Sequence, residues 1–281
     1  MYNSSTDHSK KNQENYNHLA VKHNELALDS TLYLAYRDIP SLLDKYLFSN
    51  SGTKTIYKML DYGCGAGLST SLVENMFLHA GYKVETCGID INQENIQFAK
   101  NRLPHVQFSQ IAPNQSLNHL GKFDLIVCNF VLVELKEHEM DLVLKNIELL
   151  LSSSGIALIT NCSSKVYKTN NNWYTLNNKF QENTAIGTEN PDKKFIEDQP
   201  IKLEVFSENQ SNISFTFFDF FHSGSTYKQK YIANGLDLKT THKPLGLTSD
   251  NKKWKSEMEY SPYKIHVLSK KFDENKLDLG W

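Results

Sequence analysis

Residues 56 to 71 run IYKMLDYGCGAGLSTS, an apolar stretch followed by the acid Asp61 and then Gly63, Gly65 and Gly67 at alternate positions. A glycine-rich turn between a strand and a helix lets the backbone approach a ligand closely. A dinucleotide-binding turn needs G-x-G-x-x-G, whose third glycine lets helix and strand pack behind a pyrophosphate. Here that third position is Leu68. An acid two residues ahead of the first glycine repels a pyrophosphate and attracts an ammonium group, directly or through water. The pattern favours a zwitterionic ligand and makes a dinucleotide oxidoreductase a distant reading.

The elements that must position this loop alternate along residues 55 to 162. The stretches IYKMLDY, KVETCGID, VQFSQI, FDLIVCNF and GIALITNC read as short apolar strands. Between them lie amphipathic segments, one carried by Leu68, Leu72, Val73 and Met76, another by Met140, Val143, Leu144, Ile147 and Leu151. Such alternation predicts an α/β fold with a parallel sheet and helices on both faces. Ligands of these sheets sit outside the carboxyl ends of the strands. Asp61, Asp90, Asn129 and Asn161 all fall on that rim.

At this point the sequence resembles the class I S-adenosylmethionine-dependent methyltransferases. LDYGCGAGLST is similar to their first motif, hydrophobic-(D/E)-x-G-x-G-x-G, and Asp90 in CGIDIN stands where the family carries an acid that accepts both ribose hydroxyls. FDLIVCNFVLVEL resembles the fourth-strand motif, and LLLSSSGIALIT the leucine-rich helix, turn and fifth strand, with Ser154-Gly155 in place of proline-glycine. The resemblance covers residues 16 to 162 closely and 213 to 270 more loosely. It implies a Rossmann-like, seven-stranded, mostly parallel sheet with an N-terminal helical cap and an inserted lid. The implied cofactor is S-adenosyl-L-methionine, with S-adenosyl-L-homocysteine as product. The cofactor-contacting positions it implies are Asp61, Gly63, Cys64, Gly65, Gly67, Asp90, Ile91 and Asn129. Tyr16 and His18 resemble part of the N-terminal cap, where an aromatic closes over the cofactor. Arg37 is placed either to reach the methionine carboxylate or to pair with Asp38 or Asp44. The family's acid after the third strand, which binds the adenine amino group, is missing from SQIAPNQSLN. Gln110 or a backbone oxygen near Ala112 stands there instead.

Several of these positions have a second role open to them. Asp90 is also a candidate helix N-cap, Asp61 a bridge within its own loop, and Asn129 a turn residue.

Methyl transfer from a sulfonium is an in-line displacement that needs alignment and desolvation first, and a general base only where the acceptor's proton must leave early. No catalytic signature is therefore required. The N-P-P-Y of amino-group methylation is absent; the residues are Asn129-Phe130-Val131-Leu132. Glu134 follows this strand where many small-molecule members have a histidine, as a candidate base or as a solvated helix-start acid. His222 and Tyr227 lie in FFDFFHSGSTYKQKYIANGLDL, which resembles the penultimate strand and helix of small-molecule members. They are the remaining candidates for the acceptor side. Trp173 and Tyr174 stand either to cap a planar substrate or to pack their own insertion.

The whole chain sets bounds on the function. Its 281 residues carry a formal charge of −2, which gives no basic bias toward nucleic acid or an anionic membrane. Cys64, Cys87, Cys128 and Cys162 form no C-x-x-C pair and read as buried thiols of a reducing compartment. His138-Glu139 has no second histidine at 142, so no metal site is expected. The N-terminus lacks the apolar core of a secretory signal and no stretch reaches about 18 uninterrupted apolar residues. A soluble, cytoplasmic protein is expected. The expected organisation is a disordered 1–15, a helical cap 16–50 with Pro40 opening its second helix, and a cofactor-binding core 51–162. A variable insertion or lid 163–212 follows, then the rest of the sheet 213–270 and a tail 271–281. Ser225 is the expected N-cap and Gly235 the C′ residue of the helix after the insertion. A small-molecule acceptor is the leading reading. A methyltransferase acting on protein or RNA and a non-catalytic cofactor-binding protein are the alternatives.

Overall fold

The computed structural model describes residues 29–50, 52–113, 115–185, 195–207 and 214–271. The expectations placed on residues 1–15, on Tyr16 and His18, and on the tail beyond 271 lie outside them. Ten strands and seven α-helices are described.

Five strands form the parallel part of the main sheet: β1 (Ile56–Tyr62), β2 (Lys83–Asp90), β3 (Gln107–Gln110), β4 (Phe123–Asn129) and β5 (Leu151–Cys162). It is completed by β9 (Leu236–His242) and β10 (Tyr263–Lys270), giving seven strands in the order β3-β2-β1-β4-β5-β10-β9. β10 runs antiparallel to both neighbours, so six strands point one way and one the other. The chain reverses direction across the sheet at β1 and β4, and this places the switch point beside the glycine loop.

The core shows why these segments became strands buried on both faces. In β4, Leu125 and Val127 face one apolar cluster while Ile126 and Cys128 face the other, and all four are essentially fully buried. The first cluster is closed by α2 (Ile39–Tyr46) and α3 (Leu68–His79), through Ile39, Leu43, Val73 and Phe77. The second is closed by α5 (Met140–Leu150) and α7 (Gly224–Ala233), through Leu144, Ile147 and Tyr231. Each such side chain contributes about 1.5–3 kcal/mol by leaving water. Pro40 sits in the first turn of α2, as expected, behind the short α1 (Tyr33–Tyr36). Entering β5, Phe123 pairs with Leu151 and Leu125 with Ile156, so Ser152 to Gly155 bulge opposite Asp124.

Two expectations are corrected here. The segment SFTFFDFF, taken for a strand of the main sheet, is β8 (Ser214–Phe221) of a separate antiparallel sheet with β7 (Gln199–Phe206) and the short β6 (Leu176–Asn177). A strand's alternation fixes which face is apolar but not which strand it pairs with. Ser223, not Ser225, caps α7 by accepting from Thr226 N at 3.1 Å, and Gly235 follows the helix at φ 74° as expected. The small sheet is pinned to the main sheet's carboxyl rim. His222 Nε2 lies 2.8 Å from the Leu135 carbonyl, and Glu137 N donates to Asp198 at 2.7 Å. Short α6 (Gln181–Ala185) flanks it, and α4 (Gln93–Arg102) covers the opposite end of the main sheet.

Candidate functional site

The glycine loop leaves β1 with all three glycines at positive φ: 76° at Gly63, 51° at Gly65 and 84° at Gly67. Gly63 is the most constrained, since an added Cβ would lie 2.3 Å from Val131 Cγ2. At Gly65 a Cβ would meet nothing within 4 Å, so backbone is presented to open space there. The amides of Gly63 and Cys64 donate to the Ile89 carbonyl at 2.8 and 2.9 Å and fasten the loop to β2. Cys64 itself is buried, and its thiol is pushed up by burial.

Asp61 is fully buried. One carboxylate oxygen accepts from Ser69 Oγ at 2.5 Å and Thr70 Oγ1 at 2.6 Å, which organises the first turn of α3. Its other oxygen, Oδ1, is buried with no partner. Burial pushes its pKa up to about 6. The folded state therefore holds this proton more tightly than the unfolded chain. The resulting stability is complete below about pH 4 and is lost as pH rises through 6. Asp61→Asn is expected to remove about 2–3 kcal/mol of the fall in unfolding free energy between pH 4 and pH 7, measured by urea denaturation. An unchanged fall would mean that Asp61 is already ionised in the folded protein at pH 5.

Asp90 ends β2. Its Oδ2 accepts from Gly65 N and its Oδ1 from Asn92 N, each at 2.8 Å. Asn92, not Asp90, caps α4, accepting from Glu94 N and Asn95 N. The Asn95 side chain and the Ile91 amide add further hydrogen bonds to this carboxylate, which is buried at the strand end. Gln110 Nε2 donates to the Ile91 carbonyl at 3.0 Å, leaving its Oε1 as an acceptor beside the half-exposed Ile91 side chain.

The rim continues at Asn129, whose buried side-chain amide has the Tyr36 hydroxyl as its polar neighbour but makes no hydrogen bond of ordinary geometry. Tyr36 is itself buried and feels the charge of Asp61. It was not anticipated, because YLAY reads as an ordinary helix segment until α1 is seen to lie over the rim. Phe130 follows at φ 60°, a conformation that costs a non-glycine residue about 1–3 kcal/mol and clusters at functional sites.

The other anticipated residues divide. Arg37 binds Asp38 through Nε at 2.7 Å and Nη2 at 2.9 Å, and Asp250 and the Leu245 carbonyl through Nη1 at 2.8 Å. Its pairing with Asp38, not a methionine carboxylate, takes the guanidinium. Glu134 is half-buried in the 3₁₀ turn Leu132–Glu134, close enough for its charge to act on the Cys162 thiol. His222 is buried and committed to the Leu135 carbonyl, and Tyr227 is buried edge-on against it at 5.6 Å between centroids. The other ring nitrogen of His222, Nδ1, lies 3.4 Å from a Glu197 carboxylate oxygen. Trp173 is core, and Tyr174 packs edge-on against Trp254 at 5.4 Å. Among the described residues no cluster of three or more His, Cys, Asp or Glu is arranged to hold a metal, and no helix is long and apolar enough to cross a membrane.

These residues fit S-adenosylmethionine. Asp61 Oδ1 lacks a donor that an ammonium group supplies, Gly65 admits close approach, and the Asn129 amide is unsatisfied. Sheet order and loop together define the Rossmann-like methyltransferase fold. A family described as "Methyltransferase domain" matches residues 54–199, and the chain belongs to it. The enzyme is an S-adenosylmethionine-dependent methyltransferase. The chain is similar to an uncharacterized protein of Rickettsia prowazekii (strain Madrid E), 24% identical over 186 residues that cover 62% of this chain and 70% of that one. Among solved structures it is similar to an S-adenosylmethionine-dependent methyltransferase from Clostridium acetobutylicum ATCC 824. The TM-score is 0.53 at 15% identity, covering 84% of this chain and 92% of that one. It is also similar to magnesium protoporphyrin IX methyltransferase from Synechocystis PCC 6803 with bound S-adenosylhomocysteine. There the TM-score is 0.52 at 13% identity, covering 86% and 85%.

Proposed function

We propose that the enzyme methylates a small molecule at an enclosed site on the carboxyl rim. The observation that carries this reading is the burial of Asp61 and of the Asn129 amide beneath Tyr36, with the small sheet pinned alongside. A protein or RNA substrate would call for an open groove, and the formal charge of −2 offers no general attraction to RNA.

S-adenosylmethionine supplies, when bound, a methyl group on a positively charged sulfur. The chain's own part is to bind and align. Asp61 Oδ1 would accept from the ammonium, the Asp90 carboxylate would take the ribose hydroxyls, and Gln110 Oε1 would take the adenine amino group. Gly63, Cys64, Gly65 and Gly67 give the loop its close approach, and Asn129 holds the methionine side. Enclosure replaces water by fixed groups, and alignment of the reactants contributes on the order of 7–11 kcal/mol to such reactions.

Incubation of the enzyme with methyl-labelled S-adenosylmethionine and a cell extract, followed by filtration, tests this. Label is expected among the filterable metabolites. Label confined to protein or RNA would make the small sheet a docking surface and overturn the small-molecule reading. Cofactor binding without label in any fraction would favour a non-catalytic role.

A further inference from the structure

Asp219 lies midway along β8, opposite Ile201 of β7, in the alternating series Phe215, Phe217, Asp219, Phe221. It is fully buried. Oδ2 accepts from the Tyr167 hydroxyl at 2.9 Å, while Oδ1 is buried with no partner. The Cys162 thiol, at the end of β5, is its other polar neighbour and at most a weak donor to it. Tyr167 has Phe195 and Phe221 edge-on at 6.1 Å, and those two rings stack at 4.9 Å. Packing gives no reason for a carboxylate here, since an apolar residue would avoid the desolvation penalty. A fully buried carboxylate held by one hydroxyl and, besides it, only a weak thiol donor calls for a ligand or a chemical role.

Its position supplies one. From the cofactor loop, Asp61 acts on Tyr36, and Tyr36 and Asp219 both act on Tyr263 of β10. Tyr263 meets the strained Phe130 edge-on at 5.2 Å. β8, which carries Asp219, packs against the 3₁₀ turn Leu132–Glu134 that follows Phe130, so Asp219 belongs to the elements bordering the carboxyl rim. The titratable groups facing it are Cys162 from β5, Tyr167 from the segment after β5, Tyr227 from α7 and Tyr263 from β10.

We propose that Asp219 accepts the proton of the methyl-accepting group, an O–H or N–H on a small substrate seated against Tyr167, Phe195 and Phe221, and that Tyr167 positions the carboxylate. This rests on the small-molecule reading above. A lone pair of the acceptor forms the new bond to the methyl carbon as the carbon–sulfur bond breaks. That bond's electron pair stays on sulfur, which becomes a neutral thioether, and the acceptor's proton goes to Asp219 Oδ1. Proton removal of this kind is worth about 10²–10⁴ in rate.

Asp219→Asn is nearly isosteric and still accepts from Tyr167, so a purely structural Asp219 would tolerate it. The full-length variant and wild type are compared with labelled S-adenosylmethionine and cell-extract filtrate from pH 5.5 to 9. Wild-type labelling is expected to rise with pH through about 7, the value to which burial pushes this carboxyl. Asp219→Asn is expected to lose at least 100-fold at every pH, while S-adenosylhomocysteine raises the melting temperature of both proteins equally. Labelling within threefold of wild type would overturn the proposal. Independently of activity, the infrared difference between wild type and Asp219→Asn should contain a protonated carboxyl stretch that disappears as pH rises through about 7. No such band anywhere from pH 5 to 9 would equally overturn it. Tyr167→Phe removes a bond that favours the carboxylate and should move the midpoint of the pH profile upward; an unmoved midpoint would remove Tyr167 from the proposal. If label enters only macromolecules, the small-molecule reading fails, and the wild-type to Asp219→Asn ratio in that fraction still decides the role of Asp219.

Discussion

Glu257→Ala is expected to destabilise the protein by about 3–5 kcal/mol, which for a domain of this size lowers the melting temperature by on the order of 10 °C. Glu257 is fully buried, and its carboxylate joins three distant stretches. Oε1 accepts from Thr31 Oγ1 at 2.9 Å and from Tyr174 N at 2.7 Å, and Oε2 accepts from Lys255 N at 3.0 Å. Hydrogen bonds to a charged group are worth about 1.5–3 kcal/mol each, and their removal strands buried donors away from water. Thr31 and Thr175 are bonded to each other as well, with Thr31 N donating to Thr175 Oγ1 at 2.8 Å. The loss should therefore loosen the N-terminal segment and the stretch before β6 together. Differential scanning calorimetry gives the answer directly. A shift under 2 °C would mean that water or a rotated side chain satisfies these donors at little cost.

The second large effect concerns the cofactor. S-adenosylhomocysteine at about 100 times its dissociation constant should stabilise the wild-type enzyme by about 2.7 kcal/mol. NADH should not stabilise it, because Leu68 replaces the glycine that a dinucleotide turn needs. Asp90→Ala is expected to abolish the S-adenosylhomocysteine shift. The substitution removes both the acceptors offered to the ribose and the two amide bonds, to Gly65 N and Asn92 N, that hold the loop and the entry to α4 in place. With one charge-assisted bond lost on each oxygen, affinity should fall by at least 100-fold. A retained shift would mean that the glycine loop binds the cofactor without this acid. A shift with NADH would overturn the cofactor assignment.

The frame of the enzyme was legible from local pattern. The stretches ending at Asp90 and at Lys270 coincide with β2 and β10, and FDLIVCNF contains β4, where a strand buried on both faces is a nearly continuous apolar run. The glycine loop was legible because three positive-φ positions in one turn leave little choice of residue. What failed depended on partners far away in the chain. Nothing near Arg37 announces that Asp250 will join Asp38 in holding it. β8 has the alternation of a strand, yet its partner is β7 rather than a strand of the main sheet. Tyr36 became a rim residue only through the placement of α1. Asp219 did carry a signal: it shares the parity of Phe215, Phe217 and Phe221 in SFTFFDFF, and an acid in phase with buried aromatics is a residue kept against its solvation cost.

The tie at Glu257 has a consequence for how the chain is made. Thr31 and Glu257 are separated by 226 positions. At a synthesis rate of 5–20 residues per second, Thr31 precedes its partner by about 10–45 s. β1 to β5 and the glycine loop, which end at Cys162, are complete before Glu257 is added. The tie that joins Thr31 to the Tyr174 stretch therefore cannot close until the 255–257 turn has been synthesised.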